Sequence, residues 1–386
     1  MSQPSNYCVE SPPEVVVVMV PLPAQGHLNQ LLQLSRIIST RGIPVHFIGS
    51  STHNRQAKDR VHGWDPSTTP NLHFHDFQLL TDQIVTPPPD PHASTKFPAH
   101  LLPTFQAGVQ FREPLAQLLR ALSTTNRRVT VVYDTLMGFA AREASFISNA
   151  EAYSFVACSA FSVLHFIWEM MGQPAPDQGG LFPEELPWIS FEDCFSDGVT
   201  DFITKNSQWS HLCCAGSIYD TCNAIEGKFV NLIAQTQPDK KLWAIGPFNP
   251  VTFDSSPGSS RHCCLEWLDK QPPDSVIYVS FGTTTSLSDD QIAELAIGLE
   301  RSEQRFIWVL RDADRGDIYT EEGRKPQLSD GFEDRIKGVG MKLMVLDEGK
   351  VTRKNASELR TNIREAMSEG GTSAIQLEAF LSHISR

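Results

Sequence analysis

"VVVVMVPLPAQGHLNQLLQLS", residues 15–35, sets the fold class. The continuous apolar run over Glu14–Val20 reads as a strand buried on both faces, the signature of a parallel sheet covered by helices. Leu28, Leu31, Leu32, Leu34, Ile37 and Ile38 then recur at helical spacing, and Gly42 stands where a helix C-cap belongs. Ile43–Ile48 reads as a second strand. Strand, helix and strand within about 35 residues make a βαβ unit. His27 falls in the turn between the first strand and its helix. Open α/β sheets bind ligands at that edge, outside the carboxyl ends of the strands.

The pattern recurs along the chain. Arg128–Tyr133 is strand-like and ends at Asp134, Gly138–Ser148 looks helical, and Tyr153–Cys158 is a further strand. The stretches 65–105 and 171–200, rich in Pro, read as loops. "GPFNPVTFDSSPGSSRH", 246–262, is dense in Gly, Pro and Ser and reads as an interdomain linker. A fresh unit opens after it. Ser275–Phe281 is an apolar strand, Gly282–Ser286 a small-residue loop, Ser288 a helix N-cap with acids in the first turn, and Phe306–Leu310 the next strand. The expected organisation is a tail at 1–13, a first α/β domain at 14–247, a linker at 248–262, a partial second domain at 263–341 and C-terminal helices at 342–386.

With 386 residues the chain exceeds one ordinary domain. A net charge of −13 argues against nucleic acid or an anionic membrane as the main partner. The eight cysteines form no CxxC pair, which suits reduced thiols and a cytoplasmic location. No signal-peptide pattern is visible, and Val15–Val20 is too short to span a bilayer. The Asn355-Ala356-Ser357 sequon reads as chance in that setting.

The chain contains no GxGxxG, no GxxxxGK[ST] and no GxSxG. His73 and His75 alternate in "LHFHDF" and, without a nearby third ligand, read as strand surface. Asp312-Ala313-Asp314 reads as solvated charge, so no metal site is expected. His27 and Asp134 stand apart, because both follow carboxyl ends of strands in the same half. A carboxylate that receives an imidazole N–H fixes the tautomer, so the other nitrogen can take a proton from a hydroxyl. Spacing alone leaves the plain alternative open: a helix-capping aspartate and an incidental loop histidine. "SFGT", 280–283, has the form of an anion cradle at a helix start, a form that many strand–helix turns share.

The segments "PLPAQGHLNQLLQLSR", "VVYDTLMGFAARE", "KLWAIGPFNP", "CLEWLDKQPPDSVIYVSFGT", "QIAELAIGLERSEQRFIWVLR" and "REAMSEGGTSAIQLEAFLSHI" resemble the plant UDP-dependent glycosyltransferases, with the zeatin O-glucosyltransferases as the nearest subgroup. The resemblance covers residue 14 to about 341 and roughly the last forty residues. It implies the GT-B fold: two Rossmann-like parallel-sheet domains with the active site in the cleft. It implies His27 as general base on the acceptor hydroxyl, Asp134 as its partner, and Gly282, Thr283 and Thr284 near the donor diphosphate. The reaction implied is glucose transfer from UDP-glucose to a small acceptor such as zeatin. It proceeds with inversion and needs no cofactor or metal. Phe161, Phe166 and Trp168 in "FSVLHFIWEMM" suit a wall of the acceptor pocket or, equally, a core helix. Oligomeric state is left open.

One segment departs from the family. Its donor box, with a His-Cys-Gly-Trp-Asn core, does not occur. "GFEDRIKGVGM" leads directly into "KLMVLDEGKVTRKNASELRTNI", with a seam near Met341–Lys342. A six-strand Rossmann-like half needs on the order of 180 residues, whereas about 140 follow Pro250. The second domain is therefore expected to be truncated, short of strands, and inactive in transfer. The alternatives are a non-catalytic acceptor-binding protein, a truncated isoform and a gene-model fragment.

Overall fold

A computed structural model describes residues 15–61, 64–80, 97, 99–173, 191–248, 267–282, 287–309, 328, 331–332 and 358–386. The linker from 249, the loop at 283–286, Asp312–Asp314 and the Met341–Lys342 seam lie outside the described residues.

The first unit is a seven-stranded sheet in which each neighbouring pair is parallel. Its strands are β1 (Val15–Val20), β2 (Val45–Gly49), β3 (Leu72–Asp76), β4 (Arg128–Asp134), β5 (Ala150–Val156), β6 (Cys214–Tyr219) and β7 (Lys241–Ala244). The order β3-β2-β1-β4-β5-β6-β7 reverses direction between β1 and β4. Helices α1 (Gln25–Ser39), α2 (Ser51–Asp59), α3 (Leu102–Ala107), α4 (Arg112–Thr125), α5 (Phe139–Ser145), α6 (Ala160–Met170), α7 (Asp197–Cys213) and α8 (Asn223–Thr236) connect them.

Alternation along β1 divides the core. Val16, Val18 and Val20 face one layer with Leu101, Phe105, Phe111, Leu115 and Phe202, beneath α3, α4, α5 and α7. Val17 and Met19 face the other with Leu28, Leu31, Leu32 and Leu34 of α1. A strand covered on both faces has no polar face to offer, which is why β1 is apolar at every position.

β3 is a correction to the loop reading of 65–105. "LHFHD" alternates because only one side of this outer strand packs inward: Leu72 is buried and Phe74 meets Phe47. His73 and His75 share a face with His46 of β2, whose Nδ1 is 2.7 Å from His75 Nε2. Among the described residues, no group of His, Cys, Asp or Glu is arranged to hold a metal ion, and no helix is long and apolar enough to cross a membrane.

The second unit shows two parallel strands, β8 (Val276–Ser280) and β9 (Arg305–Val309), joined through α9 (Asp289–Arg301). Ser288 caps α9 in a reciprocal box with Gln291, the start its sequence predicts. Helix α10 (358–367) and α11 (Thr372–Ile384) close the chain. α11 returns to the first sheet: Phe380, Leu381 and Ile384 are buried with Tyr153 and Trp243. Ser373 Oγ donates to the Gly246 carbonyl at 2.8 Å, and the Arg127 guanidinium caps the carbonyls of Ser385 and Arg386.

Candidate active site

β1 and β4 are adjacent and in register, with Val20 opposite Tyr133. The residues that follow therefore emerge together at the carboxyl edge, where the strand order reverses. In open α/β sheets this switch point is the ligand crevice. After β1 the chain turns through Pro21–Ala24, and α1 begins with His27 in its first turn, its N–H bonded to the Ala24 carbonyl. Asp134 is the last residue of β4.

The two side chains meet. His27 Nδ1 lies 2.5 Å from Asp134 Oδ2, while Asp134 Oδ1 accepts the Leu136 N–H at 3.0 Å. Asp134 is fully buried; the His27 side chain is 29 % exposed. With both carboxylate oxygens engaged, the carboxyl group holds one orientation, and Nδ1 is the nitrogen that carries the proton toward it. Nε2 is then the basic nitrogen. Burial on its own lowers the His27 pKa, but the charge of Asp134 and its hydrogen bond outweigh burial and raise it above the ordinary histidine value. The pair is thus built to accept a proton at Nε2 and to stabilise the resulting imidazolium. Asp134 thus both caps the Leu136 N–H and contacts His27, which lies in the first turn of α1.

The neighbouring strand end adds one group that local sequence does not flag. Cys158 follows β5 and its side chain is exposed; local desolvation and the Asp134 and Glu226 charges raise its thiol to about 11. At that value the thiol is protonated at neutral pH. Glu226 accepts the backbone N–H groups of Ala160 and Phe161, fixing the start of α6. That role is unreadable in the sequence because 66 residues separate Glu226 from the helix it anchors.

Phe161 and Trp168 are partly buried and pack against the apolar cluster between α6 and α8, with Phe161 5.2 Å from Phe229 by ring centroids. Phe166 is half-buried on the same helix. Gly282 lies two residues past β8 with φ +76°, a left-handed conformation that favours glycine. Thr283 and Thr284 are outside the described residues.

Comparison with known proteins shows the family. The family model "Glycosyltransferase, N-terminal domain" matches residues 13–250. The zeatin O-glucosyltransferase of Phaseolus lunatus is 46 % identical over 330 residues, covering 85 % of this chain and 69 % of that protein. The zeatin O-xylosyltransferase of Phaseolus vulgaris is 46 % identical over 330 residues, covering 85 % and 70 %. Among solved structures, Phytolacca americana UGT2, complexed with UDP-2fluoro-glucose and pterostilbene, aligns with a TM-score of 0.71 at 18 % identity, covering 96 % of this chain and 100 % of that one. A likeness at that identity speaks for the fold, which is GT-B. From the matched model and the extent of identity, the chain belongs to the plant UDP-dependent glycosyltransferases, an enzyme family, alongside the zeatin O-glycosyltransferases.

Proposed function

We propose that this chain carries the acceptor half of a glycosyltransferase that moves glucose from UDP-glucose to a hydroxyl of a small acceptor such as zeatin. The observation that carries the reading is the contact between His27 Nδ1 and Asp134 Oδ2 at the switch point. The acceptor O–H transfers its proton to His27 Nε2. The acceptor oxygen forms the new bond to the anomeric carbon, and the bond from that carbon to the diphosphate oxygen breaks with its electron pair leaving on UDP. Attack from the face opposite the leaving group inverts the anomeric centre. Asp134 stabilises the imidazolium throughout. The chemistry routes no step through a metal or cofactor.

We further propose that the chain as it stands does not complete this transfer. No His-Cys-Gly-Trp-Asn core occurs in the sequence, and the described residues beyond Pro247 hold two strands. A nucleotide sugar needs its base, ribose, diphosphate and sugar all held, and orientation alone is worth roughly 7–11 kcal/mol of a barrier. Gly282 can serve only the diphosphate among these. The test is purified protein with UDP-glucose and zeatin, with product sought by mass spectrometry. No glucoside is expected. Insertion of a family donor segment at the seam is expected to restore transfer, and His27→Ala in that protein to remove at least about 10²-fold of it. Near-normal turnover in the His27→Ala variant refutes the assigned base.

A second reading has its own support. The first sheet is complete across seven strands and closed by α11, so an acceptor site can persist without the donor side. A chain that binds acceptors without transferring sugar would then show calorimetric binding of zeatin or a flat phenolic. A folded protein that binds none of them excludes it.

A further inference from the structure

A cleft of about 340 Å³ opens in the helical layer on the far side of the sheet from α1. It lies among α3, α4, α5 and α7, and neither His27 nor Asp134 lines it. Its size is that of a small-molecule site. Its floor is aromatic: Phe139 and Phe202 are buried, and Trp209 forms a further wall. Gly138 allows the close approach of α5 to α7 that shapes it, because a Cβ there would run into the backbone carbonyl of Asn206.

Three cations border this cleft in a chain of net charge −13. The Arg142 guanidinium lies 4.7 Å from the Trp209 ring centroid and has no carboxylate partner among the described residues. Arg112 gives its Nε–H to Glu143 at 2.5 Å, so its terminal nitrogens remain as donors. Lys205 meets Asp201 loosely, at 3.8 Å on the exposed side of α7. Stacked guanidinium and indole present a flat surface with positive charge at its edge. The apolar floor accepts a ring, and the arginine forks match the planar geometry of a carboxylate. The geometry points to a second small-molecule site, separate from the His27–Asp134 centre, that takes a flat aromatic monoanion such as an aromatic carboxylate. This assignment stands independently of the transfer reaction proposed above.

The probe is 2-naphthoate, with the uncharged 2-naphthamide as its isosteric control, titrated calorimetrically into the full chain. The acid is expected to bind at least about ten-fold more tightly than the amide, and Arg142→Gln to remove that advantage. Lys205→Glu, a change on an exposed side chain, is expected to weaken the acid as well, so the site stays testable even where the arginine variant folds poorly. His27→Ala should leave naphthoate binding unchanged. Equal affinity for acid and amide overturns the assignment, as does full affinity in both the Arg142→Gln and Lys205→Glu variants. Loss of binding in His27→Ala would move the ligand to the other centre and overturn it too.

Discussion

β1 and β8 are near twins as sequences, VVVVMV and VIYVS, yet they end in different surroundings. Every residue of β1 is buried, whereas no residue of β8 or β9 is. Tyr278 is 68 % exposed, and Phe281 and Ile297 are also exposed. An apolar strand does not bury itself. β1 has helices on both faces and paired strands on both edges, whereas β8 pairs only with β9 among the described residues. The first sheet therefore supplies the chain's cooperative core, and the second presents apolar surface of the kind that marks an incomplete or interacting face.

The contrast between the two sheets is tested most severely by removing the element that couples the chain's end to the first of them. Phe380 is fully buried against Tyr153 and Trp243. Phe380→Ala is expected to cost about 3–5 kcal/mol, read by denaturant unfolding followed through tryptophan fluorescence. A loss below about 1 kcal/mol would mean that α11 is an appendage and not part of the first core.

Next in size is a substitution inside the first unit. Gly138→Ala forces a Cβ against the Asn206 carbonyl and is expected to cost about 1–3 kcal/mol. An unchanged melting temperature would show that α5 and α7 separate easily.

Titration bears chiefly on the first sheet, because the described residues of 267–332 contain no histidine. Burial, aided by the His75 and His73 charges, pushes His46 down to about 4, and burial pushes His53 down to about 3. Both stay neutral in the folded chain while unfolded imidazoles protonate near 6.5. The unfolded state thus binds more protons, and stability falls as pH drops from about 6.5 toward 4. The melting temperature at pH 5 is expected to lie about 5 °C or more below that at pH 7.5, and His46→Gln to shrink the difference. A pH-independent melt refutes the cluster's role. His27 works in the opposite sense: its raised pKa contributes stability below about 6.5 that fades as pH rises through the folded value.

The smallest effects belong to the second unit. Gly282→Ala meets no atom within 4 Å and carries only its backbone strain at φ +76°, about 1 kcal/mol. Tyr278→Ser is expected to stay within about 0.5 kcal/mol in the isolated chain. A larger loss from Tyr278→Ser would show that this strand is covered in solution.

Local pattern is enough to read β1, α1, β4, β8 and α9, because each element buries a periodic apolar face or carries its own cap. It also singles out His27 and Asp134 as residues at strand ends. β3 reads as loop because an outer strand packed on one side keeps polar residues at alternate positions, and the surrounding Pro-rich stretch masks it. Fold class, family resemblance and the two residues to watch are all legible in residue order alone. That β1 and β4 are neighbours is not, and this adjacency is what brings His27 and Asp134 together across 107 residues. Folding in three dimensions also joins His46 to His75, packs α11 on the first sheet, and brings Phe161 and Trp168 against α8. The cause is one of range. Periodicity and capping act over a few residues, whereas strand order is set by how helices cover both faces of a sheet, and no local spacing encodes that.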